Sequence, residues 1–326
     1  GVKRLDELTG TWQSVPLNIV GLSNIILRDV MTDPLDPNKV FVCGERNVAA
    51  GNPGIFWSAN GGVNWNKCVG DVATSSVNLG STIFEIWCVD SNTIYATSNY
   101  GYCFKSTDGG VTFNHTVANP FVPGFPAPRD ETFSRAVHFP TNINGCVTAD
   151  LAGAQIHVQV TTNGGNTWTP TDISTPFPST GLVGGIHMSA DFLTIILLCE
   201  NQILRSTDGG TTFTSVFSLP GSELAKGVKL LHLSWTSDTD LWAYGTRVKR
   251  LNSTDGGATW NIISNFNTSL PDCKAGHHYA TVAPQDGFFS IGSDILSTSD
   301  GSQTGTLSEA NQFPGGIEAV WTGIGD

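Results

Sequence analysis

Charge is what this sequence has least of. Asp, Glu, Lys and Arg together make up 13% of its 326 residues, about half the usual share for a soluble domain. Lys and Glu supply only eight residues each. The remaining balance is acidic, with a formal net charge of -12. A binder of duplex nucleic acid needs a basic face to neutralise phosphates, so that class is excluded. The one basic cluster, Arg247-Val248-Lys249-Arg250, reads as a solvated strand or loop. Long apolar runs are missing as well. The strongest spans 192–199, far short of the roughly 18 residues a membrane-spanning helix needs. The opening Gly1-Val2-Lys3-Arg4-Leu5-Asp6 has no apolar leader segment. No C-x-x-C pair occurs, which excludes a zinc ribbon and a thioredoxin-type motif. Disorder is excluded in turn, because 39% of residues are apolar and 10% aromatic.

Seven cysteines are present, at positions 43, 68, 88, 103, 146, 199 and 273. Six sit in apolar, strand-like runs such as Phe41-Val42-Cys43. A buried free Cys behaves as a small hydrophobe. These thiols are therefore expected to be reduced when the chain folds, in a cytoplasm rather than on a disulfide-building route.

The dominant positive signal is an eight-residue phrase that repeats. It reads Ser58-Ala59-Asn60-Gly61-Gly62-Val63-Asn64-Trp65, then Ser106-Thr107-Asp108-Gly109-Gly110-Val111-Thr112-Phe113. It returns around Asn163, Asp208 and Asp255, and decays around Asp300, where no aromatic follows. The spacings of the Asp/Asn position are 48, 55, 45, 47 and 45. A period of about 40–50 residues built from short strands is that of a propeller blade. Asp or Asn accepts nearby backbone N–H groups and shapes a bend. The Gly pair supplies positive φ, and the aromatic opens the next strand and anchors it.

Four strands fit between successive phrases. In the second repeat they are expected at 84–89, 93–97, 102–106 and 112–117. In the fifth they fall at 228–235, 241–244, 248–253 and 259–263. The N-terminus carries half a phrase, Gly10-Thr11-Trp12-Gln13-Ser14-Val15, whereas the sixth phrase lacks a following strand. The two defects are complementary. They predict one all-β domain over 1–326, a six-bladed β-propeller of four-stranded antiparallel blades, closed by the N-terminal strand. A seventh blade would follow if 317–321 began one.

These phrases resemble the Asp-box, or BNR, repeat of sialidases, xyloglucanases, sortilin-type receptors and photosystem II assembly factors. The resemblance covers nearly the whole chain and implies a β-propeller far more firmly than an activity. It implies that Asn60, Asp108, Asn163, Asp208, Asp255 and Asp300 are scaffold, on the face away from any ligand. The working face would be built from connections between blades and from loops joining second to third strands.

For sialidase chemistry the resemblance implies three Arg around a sugar carboxylate, a Tyr nucleophile assisted by Glu, and an Asp acid/base. Arg28 sits in Leu27-Arg28-Asp29-Val30, which departs from the family's F/Y-R-I-P, and Tyr279 falls in the sixth repeat. No third member is found. Another glycosidase would need two opposed carboxylates. Asp130 and Glu131 are adjacent, which suits a loop edge, and Glu45, Glu85 and Glu200 are scattered. His138, His187 and His232 recur at inner-strand positions and read as a repeated packing position with no carboxylate beside each. His277-His278 would point opposite ways on a strand. No metal and no cofactor are expected.

The loop at 119–132 holds four Pro with Phe121, Phe125, Arg129, Asp130 and Glu131. Its Pro residues lower the cost of ordering, and exposed aromatics are the residue type of binding hot spots. Phe121 and Phe125 serve equally well as anchors or as a lid. With Arg46, Tyr100 and Arg247 on second-to-third-strand loops, this segment is the expected interaction rim. The reading is a non-enzymatic structural propeller that binds protein or glycan. Its Gly-, Thr-, Ser- and Asn-rich composition resembles phage tail, fibre and decoration proteins, so a virion or extracellular surface is expected. The alternatives are an extracellular carbohydrate-binding or sialidase-like propeller, and an assembly factor that docks a membrane complex.

Overall fold

The structure is a computed structural model. It describes residues 2–6, 11–15, 26–74, 82–99, 101–116, 132–133, 136–151, 155–173, 177, 183–246, 250–263, 279–283, 286–291, 294–298 and 306–309. Two compact units make up the chain, one centred on Ser14–Pro178 and the other on Ser179–Thr322.

The first unit begins with a blade of β3 (Leu27–Thr32), β4 (Val40–Gly44), β5 (Ile55–Ser58) and β6 (Asn66–Lys67). The second blade is β7 (Ile83–Cys88), β8 (Ile94–Ser98), β9 (Cys103–Ser106) and β10 (Asn114–His115). A third sheet holds β11 (Thr132–Phe133), β12 (Val137–His138), β13 (Gly145–Leu151), β14 (Gln155–Thr161) and β15 (Thr169–Asp172). The second unit contains β16 (Val183–Met188), β17 (Ile195–Cys199), β18 (Gln202–Ser206) and β19 (Thr214–Ser218). It continues with β20 (Leu230–Trp235), β21 (Leu241–Gly245), β22 (Arg250–Ser253) and β23 (Asn261–Ile263). Its last blade is β24 (Tyr279–Ala283), β25 (Asp286–Ile291), β26 (Asp294–Thr298) and β27 (Thr306–Glu309). Each sheet is an antiparallel meander in chain order, apart from the divided inner edge of the third.

Two expectations are overturned. Among the described residues the structure has five four-stranded blades, not six or seven. The sheet at 132–172 is not a four-stranded blade, because β11 and β12 both pair with β13 along one edge. The Thr148 hydroxyl accepts the Ala136 N–H at 3.1 Å, a side-chain bond that competes with the regular ladder where the inner edge is divided. We call this the split sheet. Nor, among the described residues, does the N-terminal strand complete the last blade. β1 (Val2–Asp6) pairs with β2 (Thr11–Val15) in a two-stranded sheet of its own. A short local loop costs less entropy to close than a pairing with the far end of the chain.

All five described phrases fold alike. The Ser106 hydroxyl donates to Asp108 Oδ1 at 2.8 Å and accepts the Gly110 N–H at 2.8 Å. Asp108 Oδ1 also accepts the Thr112 N–H at 2.9 Å. The same set recurs at Asn60, Asn163, Asp208 and Asp255. Asp300 lies outside the described residues. Both glycines of the Asp108 phrase have positive φ, 73° and 86°, which a side chain would oppose. The N–H of the first Gly then ties each phrase to the turn between the inner strand of its own sheet (β12 in the third) and the strand that follows. Gly61 donates to Asn38 O, Gly109 to Asn92 O, Gly164 to Ile143 O, Gly209 to Leu193 O and Gly256 to Thr239 O, at 2.7–3.1 Å.

The phrases also join neighbouring sheets within a unit. Lys105 Nζ donates to Gly164 O at 2.9 Å, and Tyr95 Oη to the same oxygen at 3.1 Å. Arg205 Nε donates to Gly256 O at 2.9 Å. The core lies in these seams. Phe41, Cys43, Ile55, Ile86 and Phe104 cluster between the first and second blades. Cys43, Cys68, Cys88, Cys103, Cys146 and Cys199 are all buried and free. No helix of the described residues is long and apolar enough to cross a membrane.

Candidate functional site: buried carboxylates on the inner strands

Each inner strand β3, β7, β16 and β20 slips register by one residue near its start. Such a bulge re-aims the side chain that follows it. That residue is Asp29 on β3, Glu85 on β7, Gly185 on β16 and His232 on β20, opposite Cys43, Thr97, Leu198 and Tyr244.

Asp29 is 8% exposed. Its Oδ1 accepts its neighbour Val30's N–H at 2.8 Å, and its Oδ2 accepts the N–H of Ile86 in the second blade at 3.0 Å. Glu85 repeats the device one sheet on, with Oε2 accepting the Val137 N–H of the split sheet at 2.9 Å. Burial pushes the Asp29 carboxyl up to about 7, against the pull of those two N–H groups. Burial, and then the charge of Asp29, also hold Glu85 well above the ordinary carboxylate range. Burial and mutual repulsion thus both favour the protonated forms of these two acids. The Cys43 and Cys146 thiols beside them are pushed up chiefly by burial, and further by Glu85.

Asp33, buried like Asp29 where Glu85 is half-buried, accepts the Leu35 N–H at 2.8 Å and the Ser91 hydroxyl at 2.9 Å, with Lys39 Nζ 3.7 Å away. All three carboxylates thus bond across a seam between sheets. Chemically the arrangement can hold a proton and fix strand positions.

His187 is buried, with Nε2 3.2 Å from Asp238 Oδ1 and its ring 4.5 Å from that of Trp235. Burial outweighs the Asp238 charge and lowers its pKa to about 4. His138 packs edge-on against Trp87 at 4.4 Å. His138 and His187 share a register position, opposite Cys146 and Ile196, whereas His232 stands at the position of Glu85. The expected equivalence of three histidines therefore holds for two, and His187 does have a carboxylate partner. Among the described residues no three His, Cys, Asp or Glu side chains gather as metal ligands.

Of the expected rim, Arg46 is 2% exposed and donates to the Asp71 carbonyl at 3.4 Å. Phe121, Phe125, Arg129, Asp130, Glu131, Tyr100 and Arg247 lie outside the described residues. Arg28 is exposed on β3 beside Asp29, and Tyr279 opens β24. Asp29 was not legible as a site residue. Its only signal is a carboxylate among apolar inner-strand residues at the position Glu85 takes one repeat later.

No protein-family model and no curated protein sequence matches the chain. Solved structures do. The chain is similar to YCF48 from Cyanidioschyzon merolae, with a TM-score of 0.64 and 15% identity over 91% of this chain and 88% of that one. It is similar to YCF48 bound to a D1 peptide, with a TM-score of 0.58 and 14% identity over 87% and 82%. It is also similar to an ancestral GH74 enzyme, with a TM-score of 0.60 and 16% identity, covering 90% of this chain but only 38% of that one. These neighbours are β-propellers of the BNR/sialidase-like type. The fold is therefore a β-propeller, and identities this low speak for fold alone.

Proposed function

We propose that the repeated phrases are Asp-box repeats and that residues 1–326 act as one non-enzymatic propeller that binds a protein segment. The observation that carries this reading is the use made of the buried acids. Asp29 spends both oxygens on backbone N–H groups, and Glu85 and Asp33 bond across seams. A glycosidase needs carboxylates that face a sugar across a cleft. The likeness to YCF48 over most of both chains supports a protein ligand, since that protein has been seen with a D1 peptide. The expected anchors are Phe121, Phe125, Arg129, Tyr100 and Arg247. A virion is the narrower setting, supported by the low charge and the Gly-rich composition. Folding in a reducing cytoplasm is supported by six buried free thiols.

The test pairs a binding assay with a turnover assay. Arrays of extended peptides should yield saturable ligands, and binding should weaken in a Phe121→Ala, Phe125→Ala double variant that keeps its fold. Purified protein should not hydrolyse sialosides or xyloglucan. Hydrolysis abolished by Tyr279→Phe would overturn the reading in favour of a sialidase. Retention on glycan arrays but not peptide arrays would overturn the protein ligand.

A further inference from the structure

Two successive seams of the first unit can be superposed by register, using the phrase residues Ser58, Ser106 and Thr161 as the common origin. Val40, Ile94 and Gly145 pair with these three. On that scale Cys43 and Ile55 of the first blade correspond to Thr97 and Cys103 of the second. Phe104 and Tyr102 before the second phrase likewise correspond to Gln159 and His157 before the third.

In the first seam these positions meet as an apolar set. Cys43, Ile55 and Phe104 belong to one buried cluster, and Tyr102 packs against it. In the second seam Cys103 of the second blade and Val147 of the split sheet again share a cluster. Residues paired across strands face the same side. Thr97, which pairs with Cys103, and Gln159, which pairs with Val147, therefore open onto this seam. His157, two residues from Gln159, lies on the same face.

The chemistry differs sharply between the seams. Thr97 and Gln159 are 0% exposed and His157 is 6% exposed. Thr97 Oγ1, Gln159 Oε1 and Nε2, and His157 Nε2 are buried with no hydrogen-bond partner among the described residues. Interiors rarely leave such groups unsatisfied, and here four atoms fall in one seam. Gln is also smaller than Phe, by a volume on the order of one water's ~30 Å³ share of the liquid. Whatever fills the space must both donate and accept. Burial lowers the pKa of the His157 imidazole and raises that of Glu85, which pairs with Thr97 across β7 and β8, so the seam favours an uncharged occupant.

We propose that the seam between the second blade and the split sheet encloses an internal water site, in which one or two waters bridge Thr97 Oγ1, the Gln159 amide and His157 Nε2. The site joins two sheets through hydrogen bonds at positions where the preceding seam uses apolar contact.

Oxygen-17 relaxation dispersion on the intact chain, with a high-resolution crystal structure, tests this. The expected result is a long-lived water signal, and density within hydrogen-bonding distance of Thr97 and Gln159. Thr97→Val and Gln159→Leu should each lower Tm and lose that signal, and their Tm effects should be less than additive when combined. A triple variant, Thr97→Cys, Gln159→Phe, His157→Tyr, rebuilds the apolar seam and should recover Tm without the water. A direct Thr97–Gln159 hydrogen bond in the density would overturn the proposal. So would a water signal that persists in both single variants. The wild-type measurements decide the matter even if a variant fails to fold.

Discussion

Glu85 Oε2 accepts the Val137 N–H at 2.9 Å, joining residues 52 apart in the chain. Asp29 makes the same bond to Ile86, 57 residues on. Two carboxylates thus stitch three inner strands in series, each from the position just after a bulge. Such bonds to N–H groups in a dry seam are stronger than the same bonds in water. They also set the height at which one sheet meets the next.

The first prediction concerns this pair. The folded state raises Asp29 from 3.8 to about 7. The fold therefore binds a proton that the unfolded chain releases near pH 4. That contribution is fully present below about pH 4 and is lost as pH rises through 7. Asp29→Asn should flatten this decline. The check is Tm against pH for both proteins, and parallel curves between pH 4 and 7 would refute the assignment.

His187 works in the opposite sense. Its pKa is lowered from 6.5 to about 4 by burial, so the unfolded chain takes up a proton that the fold refuses. Stability from this group is present above pH 6.5 and lost as pH falls toward 4. His187→Gln should resist mild acid better than the wild type relative to its own neutral-pH Tm. Histidine chemical shifts followed by NMR should show a resonance that stays neutral at pH 5.

Lys105 ties the second blade to the phrase of the split sheet, through Gly164 O and across the Tyr95 ring at 5.2 Å. Lys105→Met should destabilise by about 1–3 kcal/mol, the range for a partly buried charge-assisted bond. Lys105→Arg should cost much less, because Arg205 fills the corresponding position and makes the corresponding bond to Gly256 O. Chemical denaturation reads both, and equal losses would disprove a specific latch.

Within the phrases, Asp208 accepts from Ser206 Oγ, Thr212 N and Thr212 Oγ1. These bonds hold its pKa at about 2. Asp208→Ala should lower stability by about 1 kcal/mol. Asp208→Asn should lose less, since Asn60 and Asn163 support the same turn. Peptide binding well below Tm should not change in either variant. Lost binding with intact stability would move the phrases from scaffold to site.

The repeat was legible because its physics is local. Ser, Asp and two glycines within five residues close their own hydrogen bonds, so each copy announces itself wherever it falls. The strands between phrases were legible for the same reason. Those expected at 93–97 and 241–244 are found at Ile94–Ser98 and Leu241–Gly245. Buried cysteines followed from their apolar surroundings. The blade count was not legible. The Thr148 hydroxyl bond to Ala136, at the break in the inner edge of the split sheet, has no counterpart in the repeat period.

What the sequence determined by itself was therefore the turn, its period, the antiparallel meander and the all-β class, each a consequence of contacts within some 45 residues. Only the tertiary structure decided which polar side chains meet. Asp29 and Glu85 acquire raised pKa values because two bulges turn them into adjacent seams, more than 50 residues apart in the chain. Arg46 is buried, with Nη2 donating to the Asp71 carbonyl 25 residues further along the chain. Seams are made by side chains distant in the chain, and burial, which sets both their pKa values and their partners, exists only once the sheets have packed.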